Sequence, residues 1–377
     1  MFESAPAHLK RRSRVPAWSA LVAAVLMAPA TMAGGASAQN TAETDLCAIT
    51  TSARIVAIGD VHGAFDNFRR ILRDTGLTNA SDRWIGGSAH LVQLGDVLDR
   101  GADSRKVVDL LRRLEQEAPR SGGRVHALLG NHEAMRIMRD LRYVSPGEYA
   151  AFRSPDADAL REQFYTLARD AAEARARKAG DRFNERAFRA AFLKDVLPGY
   201  VEMQVAFEAD GDYGRWVRQR PAMVRINNVL FVHGGISPKI APLGCAGVNA
   251  GVRRELGDLP ALDDPTTAET LIAGSDGPLW YRGLAEDAST MTEGQVAELL
   301  RAFGATFVVV GHTVSPTLVP RSRFGNRVVQ VDTGMLGAPN YPGGRPTALE
   351  ILDGQVTAIV NGRRVPLCTQ PAAVPAR

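Results

Sequence analysis

The chain has 377 residues, 45% of them hydrophobic, enough for one large α/β domain or two ordinary ones. Its formal charge is +4, but the first 38 residues carry four of the 45 basic side chains (Lys10, Arg11, Arg12, Arg14) against one of the 41 acidic ones (Glu3), leaving the remainder at +1. That balance argues against nucleic-acid binding, which needs a basic stripe on the fold itself, and three cysteines without a CxxC pair argue against a zinc ribbon or dithiol redox motif.

Residues 1–38 have the layout of a secretory signal: basic "KRRSR", the apolar core "AWSALVAAVLMAPATM", and "ASA" at 36–38 as a small-x-small cleavage site before Gln39. The apolar run is shorter than the roughly 20 residues of a comfortable membrane span. The expected location is therefore periplasmic or secreted, with no stable membrane association after cleavage. The alternative is an inner-membrane anchor formed by an uncleaved signal. An oxidising compartment permits a disulfide, and Cys47 and Cys368, just outside the two ends of the apparent domain, are placed to clip the termini together; with an odd count, one thiol stays free.

After a polar leader (39–52), an α/β rhythm begins. "RIVAI" (54–58), "HLVQL" (90–94) and "RVHALL" (124–129) are predicted strands. Between them lie predicted helices, "FDNFRRILRDTG" with Phe65, Phe68, Ile71 and Leu72 on one face, and "SRKVVDLLRRLEQEA" with Val107, Leu110, Leu111 and Leu114 inward. The catalytic-type domain is expected to span 53–362. Residues 139–220, rich in Ala, Arg and Glu, read as a helical insertion: one helix starts at Ser154-Pro155 and stops at Gly180, and another runs from Asn184 to Leu197. "MVRIN" and "VLFVH" form a hairpin across Asn227-Asn228, and "TFVVVGH" (306–312) is a buried strand. "RVVQVDTG" and "PTALEILDGQVTAIVNG" close the sheet. The tail, 363–377, with three prolines, is expected to be disordered.

Five predicted strands end alike: "IGDVHG" (Asp60, His62), "LGDVLDRG" (Asp96, Asp99, Arg100), "LGNHE" (Asn131, His132), "VHGG" (His233) and "GHT" (His312). Alone, each is an ordinary turn. Together they put four of seven histidines at strand ends, where open α/β sheets bind ligands. Asp60 and His62 can face one ion, and a carboxylate such as Asp96 can bridge two. Mixed nitrogen and oxygen donors suit Mn, Fe or Zn better than Ca or Mg. His90 and His126, inside strands, read as structural. "HEAMR" is not the HExxH zinc helix, because Arg136 stands where the second His would be; Glu133 reads as a structural partner.

The order GDxHG, GDxxDRG, GNHE, HGG, GH resembles the calcineurin-like metallophosphoesterase superfamily, and within it the phosphoprotein phosphatase family; "VHGGISP" and "GPLWYRG" resemble its bacterial, Shewanella-like branch. The resemblance implies an α/β fold, a β-sandwich of mixed sheets flanked by helices, carrying two divalent or trivalent ions, Mn foremost. It implies that Asp60, His62 and Asp96 bind one metal, and that the bridging Asp96 with Asn131, His233 and His312 binds the other. His132 would be the general acid, Asp99 its orienting carboxylate, and Arg100 a phosphate clamp, with Arg282 of "LWYRG" as a second clamp and Arg220 behind it. The implied activity is phosphomonoester hydrolysis on a phosphorylated protein or small phosphoester, with serine/threonine versus tyrosine preference open. The alternatives are a nucleotide or dinucleoside-polyphosphate hydrolase, and a non-catalytic metal- or partner-binding protein. Against the first, similar dinucleoside tetraphosphatases usually lack the Asp99 carboxylate, and only 65 residues follow His312, too few for a second large domain.

Overall fold

The computed structural model describes residues 46–258 and 269–371; the predicted export segment and its cleavage point lie outside them. Strands β1 (Ile55–Ile58), β2 (His90–Gln93) and β3 (Arg124–Ala127) run parallel, with α1 (Phe65–Asp74) and α2 (Ser104–Glu117) as crossovers. Beyond the short α3 (Asn131–Ile137) come α4 (Pro146–Phe152), α5 (Ala157–Ala179), α6 (Glu185–Asp195), α7 (Tyr200–Phe207) and α8 (Asp212–Arg218). The chain returns as the hairpin β4 (Met223–Ile226) and β5 (Val229–Val232), then α9 (Gly244–Gly257), α10 (Glu293–Ala302), β6 (Phe307–Val310), β7 (Arg321–Arg323) and β8 (Val328–Gln330). Antiparallel β9 (Thr347–Leu352), β10 (Gln355–Val360) and β11 (Arg363–Thr369) follow. Pairing gives two mixed sheets, β11-β10-β9-β1-β2-β3 and β4-β5-β6-β8-β7.

The unbroken apolar runs of β1, β5 and β6 have a physical reason: these strands are buried on both faces. Ile55, Ala57, Phe231, Val309 and Leu349 fill the space between the sheets. Their alternates Val56, Ile58, Leu230, Val232, Val308 and Val310 pack in the core that includes the helix residues Phe68, Ile71, Leu111 and Val296. Because the side-chain period is two, slipping a strand by one residue would exchange the two sets, so the register is strongly specified.

Three expectations need correction. The disulfide joins Cys47 to Cys245, with Cα atoms 5.8 Å apart, and Cys368 is free. The reason is local: Arg225 N–H donates to Leu46 O (2.8 Å) and Ile49 N–H to Arg225 O (3.2 Å), pinning the leader along β4, whereas Cys368 lies in β11 of the other sheet. Residues 363–369 are not disordered but form the edge strand β11. Its charged sequence containing Pro366 suits an edge, where a missing N–H is tolerated, and a bulge at Val356/Thr357 absorbs the irregular pairing. The helix expected from Ser154-Pro155 begins at Ala157. Ser154 instead gives its N–H and hydroxyl to Glu202 Oε1 (3.0 and 2.8 Å), tying that turn to α7. Among the described residues, no helix is long and apolar enough to cross a membrane.

Candidate metal centre and active site

The loops after β1, β2, β3, β5 and β6 bring Asp60, His62, Asp96, Asp99, His132, His233 and His312 to one buried edge of the sandwich. Five site residues adopt the left-handed region that side chains rarely enter: His62 (φ 48°), Asp96 (54°), Asp99 (68°), Arg100 (69°) and His312 (62°). The loops after β2 and β3 touch through two glycines. A Cβ on Gly95 would fall 2.4 Å from Gly130 N, and one on Gly130 would fall 2.2 Å from Asp96 Oδ1. That closeness lets His132 N–H donate to Asp96 Oδ1 at 3.0 Å. Glu133 accepts the N–H groups of Asp96 (2.7 Å), Val97 (2.9 Å), Leu98 (3.1 Å) and Gly130 (2.8 Å). It is the structural partner that its place in GNHE implied, the side chain on which the loop carrying Asp96 and Asp99 is wound.

Asp96 stands at the centre. Its Oδ1 lies 3.3 Å from His233 Nε2 and its Oδ2 lies 3.7 Å from His62 Nε2. Asp60 is 3.9 Å from both His62 Nε2 and His233 Nδ1, and Asn131 Oδ1 is 3.0 Å from His233 Nε2. His62 Nδ1 and His233 Nδ1 donate to the carbonyls of Leu98 (2.9 Å) and Leu94 (2.8 Å), which leaves each Nε2 free to act as a ligand. The His312 ring lies edge-on to His233 at 4.9 Å, and its buried Nε2 has no hydrogen-bond partner. Two overlapping groups of potential ligand atoms result, His62–Asp96–His132 and Asp96–His233–His312, sharing Asp96.

The charges fit cations. Burial and the neighbouring Asp332 push the Asp60 carboxyl well above its ordinary range. Asp332 itself is raised to about 6 by burial and the Asp96 charge, and its Oδ2 has no partner. Burial and the His132 charge lower His62 to about 3, and burial with the His233 charge pulls His312 well down, so both rings are neutral and able to coordinate. At His233 burial acts downward, but the Asp96 and Asp60 carboxylates overcome it and lift the ring to about 9; there a proton answers the negative charge that a cation would answer.

His132 Nδ1 donates to Asp99 Oδ2 at 2.7 Å, and its Nε2 lies 3.3 Å from Arg100 Nη2. Burial lowers this imidazole, but Asp96 and Asp99 outweigh it and raise its pKa above the ordinary value. The Arg100 guanidinium sits over the rings of Tyr143 (4.9 Å) and Tyr341 (5.5 Å). Arg282 Nη1 donates to Thr313 Oγ1 (2.9 Å) and His312 O (3.2 Å), so it borders the site. Arg220 does not join it: this side chain pairs with Glu115 of α2 and stacks on Trp216 at 4.5 Å, bracing α8. His90 and His126 bond each other (3.1 Å) as structural residues.

Sequence reasoning missed two participants. Asp332 obeys the rule that finds the others, an Asp closing an apolar strand in "VVQVDTG", but that segment reads equally well as a plain closing strand. Arg136, which in the sequence only shows that "HEAMR" is not HExxH, donates from its Nη2 to Asp99 Oδ1 (2.5 Å) and to Glu148 Oε1 (3.2 Å).

Residues 53–316 match the family model described as Calcineurin-like phosphoesterase. The chain belongs to that family. Among similar calcineurin-like proteins is Shewanella-like protein phosphatase 1 of Plasmodium berghei, 28% identical over 82% of this chain and 75% of that one. Shewanella-like protein phosphatase 2 of Arabidopsis thaliana is 29% identical over 79% and 75%. The solved structure of a cold-active protein-tyrosine phosphatase from a psychrophilic Shewanella superposes with a TM-score of 0.63 at 26% identity, covering 85% of this chain and 82% of that one. The resemblance to the Shewanella-like branch and the expected fold class both hold. This calcineurin-like chain is a metal-dependent phosphatase.

Proposed function

We propose that the chain is an exported phosphomonoesterase with two metal ions that acts on phosphorylated proteins. The observation that carries the two-ion reading is Asp96, whose two oxygens face separate sets of ligand atoms. Asp60, His62 and Asp96 would hold one ion, and Asp96, Asn131, His233 and His312 the other. Bound there, two cations supply a water of lowered pKa and offset charge on the phosphoryl oxygens; Mn suits the mixed donor set, as do Fe and Zn.

The chain's own residues do the rest. Arg100 and Arg282 clamp phosphate oxygens with planar, fixed donors. The two tyrosines flanking Arg100 limit where its guanidinium swings. Asp99 holds Nδ1 of His132, so that Nε2 delivers its proton to the departing alkoxide or phenolate oxygen. The phosphoprotein assignment draws on the relatives' names. Export draws on the amino-terminal signal pattern and on the Cys47–Cys245 disulfide, a bond that persists in oxidising compartments.

The test is His132→Asn assayed on 4-nitrophenyl phosphate and phenyl phosphate with Mn. The expected result is a large loss of kcat, about 100-fold or more on phenyl phosphate, with metal still bound; unchanged turnover refutes the role of His132. Competition between phosphopeptides and nucleotides decides the substrate class, and hydrolysis of nucleotides alone refutes the phosphoprotein reading.

A further inference from the structure

Arg136 is the largest fully buried side chain of the described residues, 1% exposed. It lies four residues after His132 in α3, so the two side chains share a helix face. The Asp99 carboxylate stands between them and divides its oxygens, Oδ2 to His132 Nδ1 (2.7 Å) and Oδ1 to Arg136 Nη2 (2.5 Å). The same Nη2 reaches Glu148 Oε1 of α4 (3.2 Å), and that oxygen also accepts Asp99's own backbone N–H (3.2 Å). From α7, Met203 Sδ touches Nη1 (3.3 Å) and the Phe207 ring lies 4.9 Å under the guanidinium. Asp99 therefore meets His132 on one side and a guanidinium set in an apolar wall on the other.

A buried ion pair in such surroundings adds little to stability compared with well-packed apolar groups; its value here is orientation. We propose that Arg136, braced by Glu148, is a positioning residue for the general acid. It holds Asp99 at the angle from which Asp99 holds His132, and through it the helices α4 and α7 support proton delivery to the leaving group. This rests on the role proposed for His132. Without the guanidinium, Asp99 Oδ1 loses the side chain that donates to it, and nothing on that side fixes the angle of the carboxylate. Arg136 itself touches neither substrate nor metal ligand, so phosphate and metal binding are left in place.

The test uses leaving-group dependence. A phenol as acidic as 4-nitrophenol departs with little protonation, whereas phenol or a serine alkoxide needs the acid. Arg136→Met, Arg136→Lys, Glu148→Gln and Asp99→Asn are assayed in the Mn-loaded full chain, with bound metal measured. Arg136→Met is expected to lose less than about 10-fold in kcat on 4-nitrophenyl phosphate and about 100-fold on phenyl phosphate and a phosphoserine peptide, with KM little changed. Arg136→Lys should recover part of that ratio. The double variant Arg136→Met with Asp99→Asn should be no worse than Asp99→Asn alone, because residues acting as a unit are not additive. Equal losses on all substrates, or full additivity with Asp99→Asn, overturn the proposal and leave Arg136 a packing residue. If Arg136→Met fails to fold, Glu148→Gln reads the same ratio at unchanged volume, and a flat ratio there overturns it equally. If His132→Asn itself shows no leaving-group dependence, it is the general-acid role that fails.

Discussion

Removing the Glu133 carboxylate should unwind the loop that carries the site. This side chain is 1% exposed and accepts four backbone N–H groups, from Asp96, Val97, Leu98 and Gly130, at 2.7–3.1 Å. Burial, and then the Asp96 charge, raise its pKa, while those N–H donors act in the other direction. In Glu133→Ala the four donors lose their acceptor in a buried place. A buried unsatisfied donor costs about 1–3 kcal/mol, so even at the low end the loss is about 4 kcal/mol, a large share of the 5–15 kcal/mol by which a domain is typically stable. Glu133→Gln keeps the volume and one acceptor oxygen but turns an NH2 toward two N–H groups, for an expected loss of about 2–6 kcal/mol. Urea unfolding of metal-free protein measures both, so that metal binding does not mask the effect. Amide exchange at residues 96–98 reports the loop directly and should rise by orders of magnitude. A Glu133→Gln variant within about 0.5 kcal/mol of the parent, with those amides still protected, would refute the reasoning.

Breaking the Cys47–Cys245 disulfide, which spans 198 positions, should lower stability by about 2–4 kcal/mol in reductant or in Cys47→Ser; unfolding curves that coincide with and without reductant would contradict this. Chelation should abolish turnover and Mn should restore it. His312→Ala, which removes the unpartnered Nε2, should bind about one ion rather than two by elemental analysis; two retained ions would remove His312 from the ligand set. Asp96 and Asp99 raise His132 against the opposing effect of burial, so kcat/KM should fall as pH rises and the ring loses its proton. Asp99→Asn takes away one raising carboxylate and should move that fall to lower pH; an unmoved basic limb counts against the pairing. At Arg100 (φ 69°), Gly should be more stable than Ala by about 1 kcal/mol in urea, the reverse of the usual order; if Ala is the more stable, the backbone there is unstrained.

The candidate metal ligands were legible because their chemistry conflicts with their place. A packing strand has no use for an imidazole at its end, yet His233 and His312 close the apolar runs "VLFV" and "FVVVG", and His62 follows "IVAI" after only Gly59-Asp60-Val61. What stayed hidden depended on positions distant in sequence. Glu148 is 49 residues from Asp99, and only the folding of α4 over α3 puts it beside Arg136. Cys245 could not be picked as the partner of Cys47 before β4 had captured the leader. β11 was misread because an edge strand with charges and a proline has the composition of a tail.

The left-handed residues lay beyond sequence reading for another reason. Turn sequences with φ above zero are recognised by glycine and asparagine, but at His62, Asp96, Asp99, Arg100 and His312 the conformation is held by side chains whose identity the chemistry requires. Each such residue costs about 1–3 kcal/mol, and the surroundings must impose it. Glu133 imposes it on the 95–99 loop through three N–H bonds. Asp96 O does so on the turn after β1, accepting the N–H of Val61 and of His62, each at 2.9 Å. Asp60 Oδ1 does so at β6 by accepting His312 N–H at 3.0 Å. Asp60 thus serves twice through one carboxylate, as a candidate ligand and as the acceptor that holds another, His312, in a strained turn, whereas Asp96 holds the turn after β1 through its backbone carbonyl. Replacing Asp60 by Asn would weaken both functions at once, so there loss of metal affinity and loss of order at His312 are expected to arrive together, whereas Asp96→Asn leaves the carbonyl that holds the β1 turn in place.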